Sequence, residues 1–166
     1  MNKILTIIRH AKSDWTNECP DYDRTLNDRG RKDTRTIATA LLADNFIVDQ
    51  VFCSTAIRAK QTLQHLNTFL KISESKIQYS DALYLASLKQ LISYCENLNN
   101  EINKVIIVGH NPGLTELCNY FTGDDLQNLP TCSVYCIHFP IEDWRAIGIN
   151  LGRKGVFITP KILKQI

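Results

Sequence analysis

Two mostly apolar runs, at residues 3–8 and 104–108, constrain the fold of this chain more than any other feature. Both are rich in β-branched residues, and a basic residue follows each of them directly or after one glycine. A strand of this kind is apolar on both faces and is therefore buried on both, as in the centre of a parallel sheet. The sequence predicts a sheet that helices cover on both sides.

Four segments carry helix signals, and in the first three the apolar residues recur at helical spacing. Their start signals are side chains that cap a helix or a proline suited to its first turn. The predicted helices are one after Asn27 that continues to a break at Asp44 and Asn45, residues 56–70 after Ser54, residues 85–98 with Ser87 as a cap, and one with Pro112 in its first position.

Three further segments are predicted to be strands, at residues 48–53, 132–139 and 144–151. The last two alternate more strongly in hydrophobicity, which favours an antiparallel edge. Strands that alternate with helices specify a mostly parallel sheet between two helix layers. We therefore predict an α/β fold, a three-layer α/β/α sandwich, with residues 1–166 forming one domain.

The composition argues against several classes of function. Hydrophobic residues make up 44% and charged residues 22% of the 166 positions, as in ordinary soluble proteins. The formal charge of +2 is scattered, so no basic stripe for nucleic acid is expected. Neither an export signal nor an apolar run of the ~20 residues that a membrane span needs is visible. We expect a cytoplasmic protein that binds neither nucleic acid nor membranes.

Six cysteines would suggest a disulfide framework in a small secreted chain, but cytoplasmic thiols stay reduced. We therefore expect most of the cysteines in the core. No Cys-x-x-Cys pair occurs, and no two histidines stand three or four residues apart. Because zinc sites commonly use such spacings, we predict no metal and no cofactor.

Basic residues come directly after three of the predicted strands. They are Arg9 and His10 after the first run, Arg58 in the first turn of the second predicted helix, and His110 after the run that ends at residue 108. In open α/β sheets, ligands bind beyond the carboxyl ends of the strands. We expect these four side chains to converge on one site.

Two guanidiniums, two imidazoles and a helix N-terminus together suit a bound phosphate. A neutral imidazole, with an unperturbed pKa of ~6.5, is also a nucleophile at physiological pH and can form a covalent intermediate. The other groups can stabilise charge on the transferring phosphoryl oxygens. The constellation indicates phosphoryl transfer in which arginines take the place of a metal ion.

Four motifs in this order resemble the histidine phosphatase superfamily, which has a phosphoglycerate mutase-like fold. The superfamily signature is Arg-His-Gly at the end of the first strand, and this chain has Ala11 in the third position. Within the superfamily the chain looks most like the short bacterial phosphohistidine phosphatases of the SixA type, along nearly its whole length. The motifs are Arg9-His10-Ala11-Lys12-Ser13, Asp23-Arg24-Thr25-Leu26-Asn27-x-x-Gly30, Ser54-x-x-x-Arg58-Ala59-x-Gln61-Thr62 and Gly109-His110-Asn111-Pro112.

The resemblance implies that His10 is the phosphorylated nucleophile and that a clamp of basic side chains holds the phosphoryl group. The expected clamp consists of Arg9, Arg58 and His110. Further substrate contacts are expected from Arg24, Ser13 and Asn111.

Longer superfamily members carry an acidic residue that protonates the leaving group, and Asp81 is the nearest equivalent here. An alkoxide is a poor leaving group unless an acid protonates it. When an N–P bond breaks, by contrast, the imidazole or amine departs as a neutral molecule once its nitrogen is protonated. The sequence therefore favours phosphohistidine on a protein, such as a phosphotransfer domain, as the substrate.

Two other functions remain open: a phosphatase of small phosphorylated metabolites, and a phosphate-binding module without catalysis. A mutase would need lids or insertions, for which 166 residues leave little room. Single residues also have structural alternatives. His10 or His110 could be a core or capping histidine, and Arg24 could pair with Asp21 and Asp23 in a surface cluster.

Overall fold

A computed structural model describes residues 2–44 and 46–165 of the chain. Its strands are β1 (Lys3–Arg9), β2 (Gln50–Ser54), β3 (Ile77–Ser80), β4 (Lys104–Gly109), β5 (Val134–Phe139) and β6 (Arg153–Ile158). Its α-helices are α1 (Asp28–Ala43), α2 (Ile57–Leu70), α3 (Leu88–Glu96), α4 (Gly113–Thr122) and α5 (Pro160–Leu163).

The six strands form one sheet in the order β3-β2-β4-β1-β5-β6. The first four in that order run parallel, and both predicted apolar runs, now β1 and β4, lie side by side at the centre. β5 is antiparallel to β1, and β6 is antiparallel to β5. The predicted mostly parallel sheet with an antiparallel edge is confirmed.

Helices cover both faces of this sheet, because the central strands bury side chains on each side. Ile7 of β1 belongs to a core cluster with Leu117 of α4, whereas the next residue, Ile8, packs in a second cluster with Leu63 of α2. α3 contributes to the first cluster and α1 to the second. The predicted three layers are therefore confirmed.

The predicted strand at residues 144–151 is wrong. Residues Trp144–Ala146 form a short 3-10 turn, and the last strand begins at Arg153 instead. Trp144 is fully buried, and its Nε1 donates a hydrogen bond to the carbonyl of Ile102 at 2.8 Å. The buried side chain of Trp144 explains the apolar character of this segment, which forms a turn rather than a strand.

β3 was not among the predicted strands, because it has only four residues and lies half exposed at the edge of the sheet. The helix predicted at residues 85–98 is shorter in the structure, where α3 begins at Leu88 and ends at Glu96. α1 ends at Ala43, directly before Asp44 of the predicted break, which is confirmed there; Asn45 lies outside the described residues.

Two of the three predicted caps are confirmed, and the third cap and the predicted position of Pro112 are wrong. The side chain of Asn27 accepts a hydrogen bond at the start of α1, and that of Ser87 does so at the start of α3. Ser54 does not cap α2; it ends β2, and Ala56 occupies the N-cap position. Pro112 immediately precedes α4 rather than forming its first residue.

The cysteines are all free thiols, and most of them lie in the core as predicted. Cys136 is half-buried and Cys19 is exposed, whereas the buried ones are Cys53, Cys95, Cys118 and Cys132. Among the described helices, none combines the length and apolar character that crossing a membrane requires.

Gly30 fixes how closely α1 packs on the loop after β1, and we expect Gly30→Ala to destabilise the fold. A Cβ at this position would collide with the backbone carbonyl oxygen of Lys12. Although alanine favours a helix by ~1 kcal/mol, overpacking costs about 1–3 kcal/mol, so the net free energy of unfolding should fall. Urea unfolding measures it. Gly148→Ala is the matched control, since nothing lies within 4 Å of its Cβ; equal stability of both variants would contradict this packing.

Candidate active site

The two histidines of the motifs occupy equivalent positions on neighbouring strands. Arg9 pairs with Gly109 in the parallel ladder of β1 and β4, so His10 and His110 each follow by one residue. Their ring centroids are 5.1 Å apart, and both side chains are buried. The strand register thus brings the histidines together at the carboxyl ends of the sheet.

The two arginines reach the same place from β1 and α2. Arg58, in the first turn of α2, is 2% exposed, and its Nε donates to Nε2 of His10 at 3.3 Å. Arg9, the last residue of β1, donates from Nη1 to the carbonyl of Leu129 at 2.6 Å. Together with His110, these residues line a cavity of about 250 Å³. All four predicted side chains therefore converge.

The surroundings of His10 fix which ring nitrogen carries the proton. Nδ1 lies 2.8 Å from the carbonyl oxygen of Ala11, which can only accept, so Nδ1 is the donor. The lone pair of Nε2 accordingly accepts from Arg58. Burial lowers the pKa of His10 to about 3; the bond to Ala11 opposes this shift, and the neighbouring His110 and Arg58 reinforce it. His10 is thus a neutral imidazole at physiological pH.

His110 is held by Ser54, a residue that the sequence analysis assigned to a helix cap. The Ser54 hydroxyl lies 2.7 Å from Nε2 of His110 and accepts from the Ala56 N–H at 3.3 Å. Because Ser54 is fully buried, its hydroxyl hydrogen is paired only if it donates to Nε2, and the ring proton of His110 then lies on Nδ1. Burial, with the charge of Arg58, lowers the pKa of His110 to about 3. In the sequence, only the place of Ser54 in the Ser54-x-x-x-Arg58 motif could have indicated that it contacts the site.

Two buried donors at the cavity have no hydrogen-bond partner among residues 2–44 and 46–165. They are Nε of Arg9 and Nδ1 of His110, and both side chains line the cavity. A buried donor without a partner costs about 1–3 kcal/mol, which an oxyanion in the cavity would recover. The unpaired donors therefore mark an anion site beside His10.

Asp21 places a carboxylate in the cavity wall, although its sequence position indicates only a surface partner for Arg24. One oxygen accepts from Nε and Nη2 of Arg24, at 3.1 and 2.8 Å. The other accepts from Nη2 of Arg58 at 3.0 Å and from the Tyr84 hydroxyl at 2.7 Å. All four bonds together occupy the acceptor sites of the carboxylate. Asp21 therefore braces both arginines.

The charge state of Asp21 follows from these contacts. Burial alone would raise its pKa, but the hydrogen bonds from Tyr84 and Arg24 and the charge of Arg58 outweigh burial. They hold the pKa of Asp21 well below its usual range. Asp21 consequently stays ionised at physiological pH and has no proton to give to a leaving group.

The three expected substrate contacts all line the cavity, but they are engaged differently. Arg24 is buried and donates from Nη1 to the hydroxyl of Ser13, whose hydrogen is still free to donate. The amide of Asn111 donates to the Leu129 carbonyl at 3.0 Å and accepts from Thr115 at 2.9 Å. Asn111 therefore supports the loop that also receives Arg9.

Asp81 is exposed, accepts a hydrogen bond from the Thr55 hydroxyl, and does not line the cavity. Ala11, which replaces the signature glycine, is fully buried and donates its N–H to Thr62 at 2.9 Å. It is not among the described residues with positive φ. The added methyl is therefore accommodated without backbone strain.

Sequence comparison places the first three of these motifs in a known family. The profile of the histidine phosphatase superfamily (branch 1) matches residues 5–84. An uncharacterized protein of Mycobacterium leprae is 30% identical over 125 residues, which cover 73% of this chain and 74% of that protein. The chain belongs to the histidine phosphatase superfamily.

Solved structures match this histidine phosphatase along nearly its whole length. A protein of Agrobacterium tumefaciens described as phosphohistidine phosphatase SixA is 25% identical, with a TM-score of 0.82 over 95% of this chain and 98% of that one. A protein histidine phosphatase SixA complexed with tungstate shares the fold, at 20% identity and a TM-score of 0.81 over 96% and 99% of the chains. Family membership and the SixA likeness support phosphatase activity.

We expect the imidazole of His10 in this histidine phosphatase to show no titration between about pH 5 and 8, because burial depresses its pKa to about 3. Ring chemical shifts in the ligand-free protein measure this. In the unfolded chain His10 binds a proton near pH ~6.5, so its depressed pKa makes the folded state less stable as the pH falls below that value. A titration midpoint near ~6.5 for His10 would contradict the assignment.

Proposed function

We propose that this histidine phosphatase hydrolyses phosphohistidine on a protein through a covalent intermediate on His10. One observation carries the proposal: the Ala11 carbonyl holds the proton on Nδ1, which leaves the Nε2 lone pair beside the unpaired donors of Arg9 and His110. A nucleophile next to unpaired oxyanion donors is the arrangement that phosphoryl transfer requires.

In the first step, Nε of Arg58 transfers its hydrogen bond from Nε2 of His10 to a phosphoryl oxygen, which frees the Nε2 lone pair. Nε2 then attacks phosphorus as the bond from phosphorus to the substrate nitrogen breaks. The electron pair of that bond stays on the departing imidazole, which leaves neutral when its other nitrogen is protonated. Arg9, Arg58 and His110 hold the phosphoryl oxygens, and Ser13 and Arg24 add contacts at the same cavity. The SixA protein complexed with tungstate supports oxyanion binding in this fold.

In the second step, water attacks phosphorus and the bond to Nε2 breaks. Because Nδ1 keeps its proton throughout, the phosphorylated ring is an imidazolium and leaves as a neutral imidazole. The proton released by water goes to the phosphate product or to solvent. His10 is thereby restored without any external acid.

The choice of an N–P substrate follows from the carboxylates. Asp21 stays ionised, and Asp81 does not line the cavity, so neither is placed to protonate an alkoxide. A phosphorylated protein, such as a phosphotransfer domain, would therefore be cleaved in preference to a small phosphorylated metabolite. The free thiols fit the cytoplasmic location that we propose.

The test compares substrates of graded leaving-group pKa at one pH: a phosphohistidine-bearing phosphotransfer domain, nitrophenyl phosphate and glycerol phosphate. We expect kcat/KM to fall by about 100-fold or more from the first two to glycerol phosphate. Activity should survive a chelator, because the arginines and His110 stabilise the phosphoryl oxygens.

Each alternative function has its own outcome in this test. Efficient cleavage of glycerol phosphate would favour a metabolite phosphatase, and tight phosphate binding without turnover would favour a binding module. A chelator tests the proposed metal-independent mechanism: loss of turnover that added metal restores would reject it. In the described residues, no group of three His, Cys, Asp or Glu side chains is placed to hold a metal ion.

A further inference from the structure

Two large apolar side chains line the active-site cavity and are nevertheless exposed. Trp15, in the loop after β1, is 71% exposed, and Leu85, in the loop before α3, is 52% exposed. The chemistry proposed for His10 does not use either residue. Apolar side chains exposed beside a binding cavity commonly mark a contact surface for a ligand.

Trp15 is held in place despite its exposure. The guanidinium carbon of Arg24 lies 3.6 Å from the centroid of the indole ring. Arg24 is itself fixed by Asp21, and the turn that carries Trp15 is closed by the Asp14 carboxylate, which accepts from the Thr16 N–H at 2.8 Å. The indole therefore rests on a fixed cation with much of its surface open.

Leu85 is also held outward. Its φ of 46° lies in the left-handed region, which is unfavourable for a branched side chain. The next residue, Ala86, packs its carbonyl so tightly against α4 that a Cβ on Gly113 would collide with it. The loop is thus fixed in a conformation that exposes Leu85.

The line of attack on phosphorus places the leaving group near these two side chains. The attacking and departing atoms lie roughly in line through phosphorus. Since Nε2 of His10 attacks along this line, the leaving group departs on the side of phosphorus opposite His10. A group attached to a protein must also reach solvent, and the exposed part of the cavity wall is where Trp15 and Leu85 lie.

We propose that Trp15 and Leu85 determine specificity by binding the leaving group, with the indole of Trp15 stacking on a planar heteroaromatic ring such as imidazole. This inference rests on the proposed function and names the part of the substrate that the cavity rim recognises. Stacked rings attract each other beyond the burial of their area, and an ammonia or alkyl leaving group lacks that contact.

The test compares two small N–P compounds that carry the same phosphoryl group: N-phosphoimidazole, which releases a ring, and phosphoramidate, which releases ammonia. The quantity measured is the ratio of their kcat/KM values, from which any common effect on phosphoryl binding cancels. We expect Trp15→Ala to lower this ratio about tenfold and Trp15→Phe to retain most of it. Leu85→Ala should lower it about threefold, and Ile149→Ala, a 64% exposed control that does not line the cavity, should leave it unchanged.

The outcomes separate this inference from the proposed function. If Trp15→Ala lowers kcat/KM for both compounds equally, Trp15 acts through Arg24 alone; the inference is then overturned while the proposed function stands. If Trp15→Leu retains the ratio as well as Trp15→Phe does, the planar ring is not what is recognised. If the wild-type protein cleaves the phosphohistidine-bearing phosphotransfer domain but neither small compound, an isolated ring is not recognised and this inference alone is overturned. If it cleaves none of the three in a His10-dependent way, the proposed function fails as well.

Discussion

Replacing His10 with alanine should lower kcat/KM toward a phosphohistidine protein by about 100,000-fold, because the bond-forming Nε2 atom is lost. Removing an enzyme nucleophile has costs of this order, and the remaining oxyanion contacts give only residual catalysis. Within residues 2–44 and 46–165, the His10 side chain hydrogen-bonds only the Ala11 carbonyl and Arg58, so the protein should stay folded. Steady-state kinetics and a melting curve measure the two effects.

Binding of phosphate or tungstate is the companion measurement for this variant. Because Arg9, Arg58 and His110 remain, we expect the affinity of His10→Ala for these anions to stay within about tenfold of wild type. His138→Ala, which removes an exposed histidine on β5, is the matched control and should retain full activity. Turnover within tenfold of wild type in His10→Ala would show that another residue attacks phosphorus.

Arg58→Ala should reduce kcat/KM by about 1,000-fold and weaken phosphate binding together. An arginine that stabilises the transition-state charge in phosphoryl transfer contributes factors of this size. Here the loss has a second part, because Asp21 loses two donors: Nη1 of Arg58 donates to its backbone carbonyl, and Nη2 donates to its carboxylate. The Asp21 loop should therefore become less well fixed, which also displaces Arg24.

Arg58→Lys separates charge from geometry. Lysine keeps the positive charge but cannot bond His10 and Asp21 at the same time with a planar fork, so we expect only partial rescue. Exposed Arg35 on α1 is the control, and Arg35→Ala should have no effect on turnover. If Arg58→Ala raised KM while kcat stayed constant, Arg58 would contribute to binding but not to the transition state.

The central sheet and the main basic residues of the site could be predicted because a local pattern specifies each of them. The apolar runs that became β1 and β4 require burial on both faces, and parallel pairing then places His10 and His110 at the same edge. Arg58 is predictable for the same reason, because it follows a strand within one helical turn. The positions of these basic residues can therefore be predicted from where the strands end and from their order along the chain.

Contacts that depend on packing between distant segments could not be predicted. Asp21 and Arg24 form a short-range ion pair in the sequence, but only the approach of α2 and Tyr84 places Asp21 in the cavity wall. Ser54 looked like a helix cap because its hydroxyl lies at a strand-to-helix junction, whereas its partner is His110, 56 residues away. The stacking of Trp15 on Arg24 likewise depends on how the loop after β1 folds back on itself.

The central claim is that the phosphoryl group passes through His10, and trapping the phosphorylated protein tests it most directly. The wild-type protein is mixed with a radiolabelled phosphohistidine-bearing phosphotransfer domain, quenched in alkali within milliseconds, digested and mapped. We predict an acid-labile, alkali-stable label on Nε2 of His10 that forms and decays at least as fast as kcat. Release of phosphate at the normal rate with no labelled protein at any time, or with the label on a residue other than His10, would contradict it.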